Sequence, residues 1–149
     1  MIGLGPVGTI LACRLKAAGE FVVVVESGED RAGAVRASGL RLAGDAPAEA
    51  LPDAVRDGVE AARGDGPFDA VFICVKANDL KALVRTLPGV VGPDTTVVSL
   101  QNGMGLEDEL LPAVGAGRLV RGVVNFAGRL DAPGHVSQTF FHPPNRVGG

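Results

Sequence analysis

Gly3, Gly5 and Gly8 fall in the run Gly3-Leu4-Gly5-Pro6-Val7-Gly8, a GxGxxG spacing. Bare backbone in such a run lets a phosphate come close, and the free N–H groups of a helix that starts there face the anion. Glu26 closes the apolar run Phe21-Val22-Val23-Val24-Val25, beyond Gly8 by roughly the ~20 residues at which an acid accepts hydrogen bonds from ribose hydroxyls. Ser27 follows it. Lys76 tips a second apolar run, Phe68 to Val75. A lysine there is costly to desolvate unless a phosphate or carboxylate pairs with it, although a lysine at a strand end can also simply face solvent. Asn102 stands in Gln101-Asn102-Gly103-Met104-Gly105 after a third run, and Asn-Gly is by itself an ordinary turn signal.

The elements that would carry these groups follow from patterning. Val7, Ile10, Leu11, Leu15 and Ala18 form one helical stripe over Thr9 to Ala18, and Gly19 stops it. Glycine turn, helix, buried strand and terminal acid is the order of a dinucleotide-binding βαβ unit. Ser27 is placed to cap a helix to Ser38 that carries Glu29 and Asp30 in its first turn and ends at Gly39. Leu40-Arg41-Leu42 alternates as a short strand. From Ala43 to Gly66 the pattern weakens into an excursion in which Val55 and Val59 fit a strand or a loose helix. Phe68 to Val75 reads as a central strand, and Thr95 to Leu100 as another strand, rich in β-branched residues. Between them Asn78 is placed to cap a helix holding Leu80, Leu83, Val84 and Leu87, and Pro88 ends it. A helix from about Leu106 to Leu111, a strand from Leu119 to Phe126, a turn at Asp131 to Gly134 and a returning strand from His135 to Phe141 complete the chain. This alternation predicts an α/β fold, a Rossmann-like doubly wound and mostly parallel sheet. Ligands then bind beyond the carboxyl ends of the strands, where all the residues singled out above stand.

Composition narrows the field. A chain of 149 residues with 46% hydrophobic content is one domain with its own core. A net charge of −3, no Lys/Arg cluster and no Trp or Tyr argue against a nucleic-acid partner. No apolar run approaches the ~18 residues that cross a bilayer, and no targeting segment is visible. Cys13 and Cys74 lack the CxxC or His partners of a zinc site and read as buried, reduced thiols of a cytoplasmic protein. His135 and His142 have no nameable carboxylate partner and read as surface or loop residues. Only Met1 and Ile2 precede Gly3, where a Rossmann unit places a strand of ~5 residues. The first strand is therefore expected to be truncated, the chain to be a fragment or a late start, and Pro143 to Gly149 to lack a closing element.

Taken together, Ile2 to Gly8, Phe72-Ile73-Cys74-Val75-Lys76-Ala77, Leu100 to Gly105, and Gly122-Val123-Val124-Asn125-Phe126 with the turn at Pro133-Gly134 resemble the N-terminal half of the ketopantoate reductases (2-dehydropantoate 2-reductases). The resemblance covers essentially all 149 residues. It implies NADPH-dependent reduction of 2-dehydropantoate to (R)-pantoate, on the route to pantothenate and coenzyme A. It also implies that the glycine loop, Gly3, Leu4, Gly5, Pro6, Val7 and Gly8, holds the pyrophosphate, while Glu26 and Ser27 are expected at the cofactor from their own place at the end of the second strand. Lys76 would lie beside the cofactor at the catalytic cleft, and Asn102 would fix the nicotinamide ribose and the substrate. Asn125 ends a strand on the same side and fits either cleft or packing.

Two departures qualify what the resemblance implies. The family commonly has an Arg at the end of the second strand for the 2′-phosphate of NADP(H), where this chain has Glu26-Ser27. A carboxylate there repels that phosphate, which predicts a preference for NAD(H), or relaxed specificity, unless Arg31 compensates. The family's general-acid Lys and a substrate-binding Glu come from a helical C-terminal domain to which nothing here corresponds. The 149 residues alone are thus expected to bind cofactor and turn over poorly. A stand-alone dinucleotide-binding module, or a dehydrogenase acting on another 2-oxo acid, are the competing readings.

Overall fold

The computed structural model describes residues 1–148, so Gly149 lies outside the described residues. The main sheet is built from two ladders. One holds β1 (Val23–Val25) beside β4 (Ala54–Arg56), and the other holds β5 (Ala70–Ile73), β6 (Thr96–Ser99) and β7 (Leu119–Val123). All these pairs are parallel. Ile2 joins the ladders by bridging to Val25 on one side and Ile73 on the other. Its N–H donates to the Phe72 carbonyl at 2.9 Å, and its own carbonyl accepts the Cys74 N–H at 2.8 Å. This short stretch thus serves both neighbours, and the strand order is that of a Rossmann fold. β1 and β5 are apolar because they are covered on both faces.

Helices α1 (Pro6–Ala17) and α2 (Glu29–Ser38) cover one face, and α3 (Leu80–Val84) and α4 (Glu107–Val114) the other. Leu80, Leu83, Leu110 and Val114 pack on Ile73, Val71 and Val97 in one core cluster. Ile10, Ala12, Cys13 and Val35 pack with Val24, Leu40, Leu42 and Val136 in the second.

The structure corrects several expectations. A second, four-stranded sheet stands apart from the first, in the order β3 (Ala48–Ala50), β2 (Leu40–Ala43), β9 (His135–Phe141), β8 (Phe126–Ala132). Only β2 and β9 run parallel within it. It packs on α1, which lies between the two sheets. That is why Gly8, Thr9, Ala12 and Cys13 are buried along with Ile10, while Ala18 of the expected stripe is exposed. The excursion supplies β3 and β4. Val55 lies in β4 and Val59 just beyond it, before a 3-10 turn at Glu60–Ala62. The C-terminus does close: β10 (Arg146–Gly148) pairs antiparallel with β7. Neither Ser27 nor Asn78 caps a helix. The residue before α2 is Gly28, and Asn78 lies in a 3-10 turn, Ala77–Asp79, that leads into α3.

Candidate functional site

The central strand ends in Gly3, whose φ of +92° turns the chain toward α1. A Cβ at Gly3 would stand 2.9 Å from the Val75 nitrogen, so β5 leaves no room for a side chain. A Cβ at Gly8 would run into the Gly3 carbonyl oxygen and reach 3.2 Å from the Cys74 Cβ. That close approach seats the first turn of α1 on the sheet. Gly5 is different: nothing lies within 4 Å of the position its Cβ would take. Pro6 is the first helical residue and has no N–H to offer. The first bond of the helix runs from Thr9 N–H to the Gly5 carbonyl at 2.9 Å. Among the described residues, the N–H groups of Gly5, Val7 and Gly8 therefore meet no protein acceptor. Open backbone at Gly5, beside unpaired donors at the positive end of a helix dipole, is an anion cradle.

Leu4 links this cradle to the second strand. Its side chain is buried in the core, and its N–H donates to Glu26 Oε2 at 2.7 Å. Its carbonyl accepts the Thr9 hydroxyl at 3.2 Å. Glu26 is only 6% exposed, and its other oxygen accepts a hydrogen bond from Arg31 Nε at 2.8 Å. The Arg31 side chain is 44% exposed and lines the same cleft. The acid expected to face ribose hydroxyls is thus already bonded twice by the protein. Arg31 stands where compensation for its charge was required.

A cleft of about 500 Å³ runs past this loop, and Gly3, Gly5, Glu26, Ser27, Arg31 and Lys76 all contribute to its lining. Cys74 lines it too, and burial pushes that thiol up to about 12. Lys76 is exposed and forms no ion pair among the described residues, which leaves its ammonium available. Asn102 is not among the residues lining this cleft. It stands exposed just past β6, whose neighbour β5 leads to Lys76. Arg121 of β7 holds its loop through hydrogen bonds to the Gly103 carbonyl and to Glu107.

Asn125 is tied to the C-terminal stretch: its N–H donates to Asn145 Oδ1 and its side-chain amide donates to the Pro144 carbonyl. His142 is exposed and stacks on Phe140. Among the described residues, no group of three or more His, Cys, Asp or Glu could hold a metal, and no helix is long and apolar enough to cross a membrane. Sequence reasoning missed the tether from Leu4 to Glu26, because a backbone donor leaves no trace in residue identity. It also missed a second cleft of about 500 Å³ between α1 and the β8–β9 hairpin, lined by Ile10, Arg14, Phe126, Phe140 and Phe141 among others.

The model of the family described as Ketopantoate reductase PanE/ApbA matches residues 1–147. This chain belongs to that family. A 2-dehydropantoate 2-reductase of Mesorhizobium japonicum is 30% identical over 154 aligned positions, covering 90% of this chain and 46% of the relative. One from Streptococcus pyogenes serotype M3 is 25% identical, covering 89% and 42%. The chain therefore spans less than half the length of these ketopantoate reductase relatives. A solved PanE/ApbA family ketopantoate reductase from Ralstonia eutropha JMP134 is 28% identical with a TM-score of 0.80, covering 93% of this chain and 45% of its own. The same fold recurs in a D-mandelate dehydrogenase solved with NADH and anilino(oxo)acetate, at 23% identity and a TM-score of 0.82, covering 98% and 46%.

Proposed function

We propose that this chain is the cofactor domain of an oxidoreductase that reduces 2-dehydropantoate to (R)-pantoate with a nicotinamide cofactor, in pantothenate and coenzyme A biosynthesis in the cytoplasm. The observation that carries the reading is the open Gly5 backbone. It stands among three unpaired N–H groups, at the head of a cleft shared with Lys76.

The dinucleotide's diphosphate fits the cradle, where Gly5, Val7 and Gly8 donate to it and Gly3, Leu4 and Pro6 shape the turn. Lys76 pairs its free ammonium with a cofactor phosphate or the substrate carboxylate. Asn102, one strand further along, orients the nicotinamide ribose and the substrate. When bound, the reduced nicotinamide supplies the hydride that the ketone carbon takes up. The proton for the ketone oxygen comes from a companion helical domain beyond these 149 residues. Residues 1–149 form the N-terminal unit of the longer enzyme and bind cofactor without efficient turnover.

At the ribose end, Ser27 and Arg31 line the cleft beside Glu26, and Arg31 offsets the Glu26 charge. The charge argument for NAD(H) is weakened accordingly, and relaxed specificity between NADH and NADPH is the expected behaviour. The D-mandelate dehydrogenase solved with NADH supports a second reading, a related dehydrogenase acting on another 2-oxo acid.

Fluorescence titration of the chain with NADH and NADPH tests cofactor binding, with saturable binding of both expected. Absence of any binding overturns the proposal, and much tighter binding of one overturns the specificity argument. Oxidation of either cofactor by the full reading frame, offered 2-dehydropantoate beside other 2-oxo acids, separates the two readings.

A further inference from the structure

Glu26 is in the position of a ribose-binding acid, yet both its oxygens are committed inside the protein. We propose that Glu26 acts as a positioning residue: its carboxylate clamps the Leu4 N–H, and with the Thr9 hydroxyl on the Leu4 carbonyl it fixes the peptide that aims the Gly5 N–H into the cleft. The inference rests on the cofactor reading above and assigns Glu26 a duty toward the cradle instead of the ribose.

Three features support the clamp. Leu4, Thr9 and Glu26 are all buried, at 1%, 0% and 6% exposure, so water does not compete for these bonds. Both polar groups of Leu4 are held by side chains, and neither belongs to a strand ladder or a helix. The bond from Leu4 to Glu26 joins the residue just after the central strand to the residue just after β1, and Gly3, Gly5 and Glu26 beside it line the cleft. A charged acceptor holding a buried N–H is among the stronger hydrogen bonds of a protein. Without it, the turn between Gly3 and Pro6, which carries two flexible glycines, loses its side-chain restraint from the residue after β1 and presents the donors of the cradle less often.

The decisive comparison is Glu26→Gln against Glu26→Ala. Both remove the charge and release Arg31, but only glutamine keeps an acceptor for Leu4. In the cofactor-free chain, the Leu4 amide is expected to exchange its hydrogen at least about tenfold faster in E26A than in E26Q. E26Q is expected to bind NADH and NADPH each about tenfold more tightly than E26A, by the same factor for both. Equal exchange in the two variants overturns the clamp. A glutamine advantage confined to NADH also overturns it, since that pattern belongs to an acid gripping free ribose hydroxyls. If the unsubstituted chain binds neither dinucleotide, the cofactor reading fails, and hydrogen exchange still decides the clamp. Should E26A fail to fold, E26Q against the unsubstituted chain decides it: a Leu4 amide that stays protected in E26Q supports the clamp, and one that exchanges freely overturns it.

Discussion

Gly5 and Gly8 belong to one motif, and the structure gives them opposite duties that a pair of alanine substitutions separates. An alanine at Gly8 puts its methyl into the Gly3 carbonyl oxygen, 3.1 Å from the carbonyl carbon and 3.2 Å from the Cys74 Cβ. Alanine has no χ angle with which to escape, so α1 must lift off the turn. Overpacking of this kind costs about 1–3 kcal/mol and often more against rigid backbone, while helix propensity returns at most about 1 kcal/mol. The net loss of about 1–3 kcal/mol lowers Tm by roughly 2–10 °C in a domain of this size. An alanine at Gly5 meets nothing within 4 Å, and the backbone there, with φ of −69°, suits any residue. Its stability cost stays within about 1 kcal/mol, the difference between glycine and alanine at a helix N-cap. The methyl nevertheless occupies the space a diphosphate needs, so dinucleotide affinity falls by more than about tenfold. Thermal melts and cofactor titrations of the two variants form a two-by-two test. A G5A protein that binds cofactor normally, or a G8A protein with unchanged Tm, refutes the assignment of these roles.

Lys76→Ala removes an exposed charge with no ion pair among the described residues. It should leave stability within about 0.5 kcal/mol while weakening dinucleotide binding roughly fivefold, about 1 kcal/mol, as isothermal titration would read. The Met1 amine donates to the Val23 carbonyl at 2.8 Å, and burial lowers its pKa from 8.0 to about 6. Between those values the unfolded chain holds the extra proton. Stability should therefore rise from pH 6 to pH 8, by about 2 kcal/mol, and be lowest on the acid side. Denaturant melts across that range, repeated on chain acetylated at Met1, should show the slope vanish with the amine.

What could be read from residues alone was what physics writes into residue type. The central strands at Val71 and Val97 announce themselves because parallel strands covered on both faces must be continuously apolar. The glycine turn is legible because close approach at Gly3 and Gly8 excludes every other side chain. β4 was hidden because, of its three residues, only Val55 is buried, which gives no period to detect. The alternation of Leu40-Arg41-Leu42 revealed a strand but not its partner. Its pairing with β9 is a contact between distant stretches that no local pattern encodes. In the site, Gly5, Glu26 and Lys76 were expected at one crevice and share it. Asn102 reached the right end of the sheet but not this cleft, because strand order fixes an edge and leaves the direction of a loop side chain open. The role of Leu4 was invisible, since its side chain only reports that it is buried.

The placement of α1 between two sheets sets the terms on which this molecule can move. The helix that presents the anion donors packs Ile10, Ala12 and Cys13 among core residues of both sheets, and close-packed interiors pass on strain instead of absorbing it. Any hinge that lets ligands in and out must therefore sit elsewhere. The β8–β9 hairpin, though far from the crevice in sequence, becomes part of the mount that keeps the donors aimed. Shortening Val136, deep in that mount, should therefore loosen the core that seats α1 as well as the donors it carries.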